Sequence, residues 1–168
     1  AHGAKLPRVD VEPVVPFTVG EVERLRDASL GWFDVAFTLG LGAGLRQSEA
    51  TGLTIDRVNF LRRELTIDRQ LVAVVAGAPV FGPPKTDRSY RTVPLADAVV
   101  SDLGRHVELY GVGREGLVLH GLDGRPVGGG WFGDLWRDLR ADAGLPRARF
   151  HDTRHTFAST LLAGGVSV

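Results

Sequence analysis

The chain has 168 residues, 43% hydrophobic and 24% charged, with 20 basic residues balancing 20 acidic ones. These proportions describe one ordinary globular domain long enough to bury a core, and the absence of Cys excludes a disulfide framework and thiolate chemistry. No basic and apolar leader opens the sequence, and the longest apolar stretch, Leu30 to Leu45, is broken by Asp34 and too short to span a bilayer, so a cytoplasmic protein with no membrane partner is expected.

In chain order, residues 1–16, with Pro7, Pro13 and Pro16, read as an extended linker before a domain over 17–168. Thr18-Val19-Gly20-Glu21 is a capping box that opens a helix to about Ala28. Trp32 to Leu39 predicts a nearly all-apolar, buried helix that ends in the glycine-rich Gly40 to Leu45, where positive φ and close backbone approach are available. Arg46 follows, with Glu49 one helical turn on. An exposed i, i+3 ion pair is the simplest account of those two residues, but an Arg directly after a buried helix is poorly placed to stay in solvent.

Segments near Arg57 to Phe60, Leu65 to Val75 and Ser89 to Val93 predict three strands of a small antiparallel sheet, joined by Leu61 to Glu64 and by a loop over Gly77 to Pro84. A helix from about Ala96 follows, with His106 on its apolar stripe as a core residue. Leu117 to Leu119 is a short extended piece before a Gly121 to Gly124 turn. Phe132, Leu135, Trp136, Leu139 and Ala143 mark a further helix, closed by Gly144 and Pro146. The fold class is therefore α+β, mainly helical with a small three-stranded antiparallel sheet. Gly128, Gly130 and Gly133 match dinucleotide-binding spacing only formally, because no parallel βαβ pattern surrounds them.

The last segment carries the most chemistry. A helical projection from His151 to Ala163 puts Asp152, Thr153, Thr156, Ser159 and Thr160 on one face and Phe157, Ala158, Leu161 and Leu162 on the other, with His151, Arg154 and His155 on the apolar side. A guanidinium buried there needs an anion, and a helix N-terminus already favours one. The segment reads as a phosphate site. A buried ion pair of Arg154 with Asp134 or Asp142 is the structural alternative, and His151 with His155 at i, i+4 is a metal alternative that lacks a third ligand of suitable spacing.

Lys5 and Lys85 are the only lysines among the 20 basic residues. A Lys kept in so biased a chain is either a chance retention or a place for chemistry that Arg does not do, since an ammonium gives up its proton and a guanidinium does not. Lys85 falls on or beside a hairpin. Gly82 to Thr86 echoes a phosphate loop, but Pro84 stands where such a loop needs Gly.

Three motifs in order, Gly44-Leu45-Arg46-Gln47-Ser48-Glu49, then Lys85 ahead of Arg91-Thr92-Val93-Pro94-Leu95, then His151-Asp152-Thr153-Arg154-His155-Thr156-Phe157-Ala158 with Gly164-Gly165-Val166, together resemble the catalytic domain of a tyrosine recombinase of the phage-integrase family. The resemblance runs from about Pro16 to Val168. It implies site-specific DNA recombination through a 3′-phosphotyrosine intermediate, double-stranded DNA as partner, a homo-oligomer on the DNA, and no cofactor or metal. By the same resemblance Arg46 and Arg154 clamp the scissile phosphate, Lys85 protonates the departing 5′ oxygen and His151 is a general acid/base. Glu49 holds Arg46 from behind, and His155 supports the site. Members of the family carry their nucleophilic Tyr beyond the Gly-Gly-Val turn, and the tyrosines here, Tyr90 and Tyr110, stand elsewhere. The expectation is an incomplete catalytic domain without its nucleophile and without the N-terminal DNA-clamping domain. A catalytically silent DNA-binding or regulatory domain and a soluble protein-interaction domain are the alternative classes.

Overall fold

A computed structural model describes residues 15–164. Of the expected linker only Val15 and Pro16 fall within that span, and Gly165 and Val166 of the last motif lie outside the described residues. No described helix is long and apolar enough to cross a membrane.

The capping box is formed as the sequence predicts. The Thr18 hydroxyl accepts from the Glu21 N–H, the Glu21 carboxylate accepts from the Thr18 N–H, and α1 runs over Val19–Asp27. A short 3-10 turn at Gly31–Phe33 then leads into α2, Val35–Ala43. α2 is buried on almost every side, from Val35 through Gly40 to Ala43. It ends within the expected glycine-rich stretch: Gly40 and Gly42 are helical and Gly44 closes it with φ 63°. Thr153 Oγ1 and the Phe150 ring lie where a side chain on Gly40 would go, so this glycine serves close helix packing rather than a turn.

α3, Gln47–Gly52, starts two residues beyond the Gly44 turn. The sheet comprises β1 (Val58–Asn59), β2 (Glu64–Ile67) and β5 (Arg91–Pro94), antiparallel in the order β1-β2-β5. The single strand expected from Leu65 to Val75 is two strands. β2 stops at Ile67, and β3 (Gln70–Val75) turns away to pair with β4 (Ala78–Gly82), which occupies most of the expected loop. The break falls at Asp68 and Arg69. Asp68 accepts from Arg57 Nε at 2.8 Å, and the Arg69 guanidinium stacks 4.5 Å from the Phe81 ring centroid, so both side chains are held locally at the corner. Ala76 and Gly77 both have positive φ, 50° and 75°, which is the backbone a tight two-residue hairpin turn requires.

α4 spans Asp97–Tyr110 and buries His106, whose Nε2 lies 2.9 Å from the Val118 carbonyl oxygen. Leu117 to Leu119 are fully buried. α5, Gly129–Asp142, inserts Phe132, Trp136 and Leu139 into the core. The Trp136 Nε1–H and an Arg140 Nη1–H both donate to the Ala148 carbonyl, at 3.0 and 3.2 Å, which fixes the connection into α6, Phe150–Ala163.

The faces of α6 differ from the sequence expectation. Its polar residues Asp152 and Thr153 are the buried ones, while Leu162 is 63% exposed. Thr153, which packs against Gly40 of α2, is satisfied by the Phe150 carbonyl at 2.6 Å and Asp152 by Arg149, so their polarity costs little.

Gly44 combines a left-handed backbone with the Phe157 ring in the space a Cβ would take. Gly44→Ala therefore destabilises the domain by about 2 kcal/mol or more. Gly104 lies inside α4 with nothing within 4 Å of a Cβ, and Gly104→Ala stabilises by about 0.5–1 kcal/mol. Urea unfolding of the two variants measures this opposite pair of effects.

Candidate active site

The centre of the site is the Glu49 carboxylate, 3% exposed in the first turn of α3. Its Oε1 accepts from Arg46 Nη1 at 2.8 Å and from Arg91 Nη1 at 3.2 Å. Its Oε2 accepts from the Arg46 backbone N–H at 3.0 Å and from Arg91 Nη2 at 2.9 Å. Burial pushes the Glu49 carboxyl up, but the hydrogen bonds from Arg91 and Arg46 outweigh it and hold the group below the usual carboxylate range.

Arg154 joins the same cluster from α6. Its Nη1 donates to the Gly44 carbonyl, which also accepts from Arg91 Nη2 at 3.4 Å. Among the described residues no carboxylate lies within salt-bridge distance of Arg154, so neither Asp134 nor Asp142 pairs with it; Asp134 instead bonds Arg137. Burial lowers the Arg154 pKa, repulsion from Arg91 and Arg46 adds to this, and Glu49 offsets a part. Three guanidiniums thus share one carboxylate and one carbonyl, and the cluster carries excess positive charge.

Beside it opens a cavity of about 650 Å³ lined by Arg46, Lys85 and His151, and also by Arg140 and Arg149. Arg154 does not line this cavity; it sits behind, linked to Arg46 through Gly44, Arg91 and Glu49. Lys85 is exposed and lies between two anchors. On one side Gln70 Nε2 donates to the Pro83 carbonyl at 2.9 Å while its Oε1 accepts from Ser48 Oγ at 2.7 Å. On the other, the buried Ser89 Oγ accepts from Arg46 Nη1 at 3.2 Å and bonds Thr86 Oγ1 at 3.0 Å.

His151 is exposed at the start of α6, and the half-buried His155 meets it edge to face with centroids 4.7 Å apart. Partial desolvation lowers the His151 pKa, and the neighbouring His155 and Arg154 lower it further. At neutral pH its imidazole is therefore neutral, with a free nitrogen able to take a proton. Among the described residues no group of three His, Asp or Glu side chains is arranged to hold a metal ion.

Sequence reasoning did not single out Arg91 or Ser89. A signal for Arg91 was present: it shares a strand face with the buried Val93, and a cation on the inner face of an amphipathic strand needs an interior anion.

Comparisons with known proteins find relatives both in sequence and in fold. A family model described as the phage integrase family matches residues 17–168. A XerC-like tyrosine recombinase of Caldanaerobacter subterraneus subsp. tengcongensis is 26% identical over 98% of this chain and 47% of its own length. An integrase of Saccharopolyspora erythraea is 27% identical over 97% of this chain and 51% of its own. The chain thus spans about half the length of these curated relatives. Among solved structures, the Tn1549 transposon integrase in complex with circular intermediate DNA superposes with a TM-score of 0.78 at 25% identity, over 94% of this chain and 57% of that one. The XerA recombinase, 20% identical over 97% of this chain and 54% of that one, shares the fold with a TM-score of 0.70.

Removing the central carboxylate leaves the guanidiniums without an anion. Glu49→Gln costs about 3 kcal/mol, the lower part of the range for a broken buried pair, because Arg46 and Arg91 still reach solvent at 34% and 22% exposure. The Glu49 pKa is lower folded than unfolded, so its contribution is complete at neutral pH and is lost as pH falls below about 4. Denaturant unfolding as a function of pH should show the native chain and the variant converging on the acid side only.

Proposed function

Since this chain belongs to the phage integrase family, we propose that it is the phosphate-clamping part of a site-specific DNA recombinase that breaks and rejoins duplex DNA through a 3′-phosphotyrosine. The observation that carries this reading is the surplus of guanidinium over carboxylate at Glu49, placed beside a cavity lined by Arg46, Lys85 and His151. Such a surplus is unfavourable by itself and becomes favourable when an anion enters. The Tn1549 integrase, held on circular intermediate DNA, supports duplex DNA as the source of that anion.

In this reading the scissile phosphate enters the cavity, and Arg46 binds its non-bridging oxygens through the guanidinium edge that Glu49 does not occupy. Arg154 adds its charge from behind, and moves forward to bind directly when the phosphate draws it from the Gly44 carbonyl. A tyrosine oxygen attacks phosphorus, the bond to the 5′ oxygen breaks, and negative charge gathers on the equatorial oxygens, where guanidiniums stabilise it. The departing 5′ oxygen takes a proton from Lys85. His151, neutral before the phosphate arrives, exchanges a proton with the attacking tyrosine and hydrogen-bonds the phosphate, while His155 backs its ring. Several copies act together on the DNA.

Neither tyrosine of this chain is the nucleophile in this scheme. Tyr110 packs beside His106 and Gly31 at the end of α4, and Tyr90 precedes the strand of Arg91 with its side chain turned to solvent.

Duplex binding tests the clamp directly. Affinity should fall steeply with salt, and Arg46→Ala or Arg154→Ala should each weaken it about tenfold and reduce the log–log salt slope by about one. A salt-independent affinity unaffected by both variants counts against the reading. A nicked suicide duplex should yield no covalent adduct at Tyr90 or Tyr110, as read by denaturing electrophoresis and peptide mapping; an adduct at either reassigns the nucleophile.

A further inference from the structure

We infer that Arg91 is a positioning residue for the clamp, one that keeps Arg46 free for the anion by supplying two of the three side-chain hydrogen bonds to Glu49; this rests on the phosphate reading above. The donors of the two side chains are used very differently. Arg91 spends Nη1 on Glu49 Oε1 and the Ser89 carbonyl, and Nη2 on Glu49 Oε2 and the Gly44 carbonyl. Arg46 spends only Nη1, on Glu49 Oε1 and Ser89 Oγ, and among the described residues its Nε and Nη2 have no partner.

A buried carboxylate takes as many charged donors as reach it, since each unfilled lone pair costs desolvation. Without the two bonds from Arg91, Glu49 would draw Arg46 into a bidentate pair and occupy the edge that faces the cavity. Arg91 prevents this because β5 fixes it: Arg91 stands opposite Ile67 in the sheet, with Val93 buried on the same face. It also meets Arg154 at the Gly44 carbonyl, so a single guanidinium with both Nη groups doubly bonded sets the places of both clamp arginines. Arg91 itself does not line the cavity and makes no contact with the anion in this scheme.

Arg91→Lys keeps the charge and removes the fork that spans both oxygens of Glu49. In the folded variant, judged by circular dichroism and thermal melting, binding of a short fluorescein-labelled duplex at low salt should weaken about tenfold. More tellingly, Arg46→Ala should cost under about threefold in the Arg91→Lys background against about tenfold in the native chain, because Arg46 is already misplaced there. A purely structural Arg91 gives full additivity, with the same cost in both backgrounds, and that result overturns the inference while leaving the clamp intact. Silence of both Arg46→Ala and Arg154→Ala in the native chain overturns the phosphate reading and this inference with it. Should Arg91→Lys fail to fold, arginine side-chain NMR of the unaltered chain decides. Slow rotation of the Arg91 guanidinium, with Arg46 slowing only when the duplex is added, is expected, and a freely rotating Arg91 guanidinium overturns the assignment.

Discussion

One carboxylate, in contact with two guanidiniums and close enough to a third to temper its charge, determines how the pieces of this domain meet. Glu49 comes from α3, Arg46 from the turn before it, Arg91 from β5 and Arg154 from α6. None of these elements has an intrinsic reason to approach the others, and like charges at this spacing repel. The carboxylate reverses the sign of the problem, and in return the arginines make its burial tolerable. The cluster is thus a structural junction with more positive than negative charge, set beside a cavity that Arg46 lines, so one group that holds the fold also gives the cavity its charge.

The Gly44 turn makes this junction possible. Its left-handed backbone stops α2, brings Arg46 to the start of α3, and turns a carbonyl toward the arginines of β5 and α6. On its other side it leaves room for the Phe157 ring. Helix packing and charge placement therefore meet in one residue with no side chain, and for this reason α6 arrives with its polar first turn against α2.

Much of this was legible in the sequence because it is local. The capping box at Thr18, the stripe through Leu103 and His106, and the Gly144 stop after α5 each rest on residues within a turn of one another. The pairing of Arg46 with Glu49 was legible for the same reason. What escaped was decided at long range. The corner at Asp68 depends on Arg57 and Phe81, the strand over Ala78–Gly82 on its partner β3, and the burial of Thr153 on Gly40, more than a hundred residues earlier. Arg91 was visible as one basic residue among several, but its partner Glu49 lies 42 positions away, and a single strand's alternation does not say which carboxylate waits on the other side.

The two anchors flanking Lys85 set the time on which that side chain searches. Pro83 is tied to Gln70 and Ser89 to Arg46, so the residues between them form a short arc pinned at both feet. Any movement of the ammonium is confined to this arc at the edge of the cavity, which lies outside the pairing of β4 and β5. Motion of that kind belongs to the nanosecond-to-microsecond range of loops, far faster than the opening of packed elements. A cation at the cavity edge is thus held by short local ties rather than by the packing of whole elements.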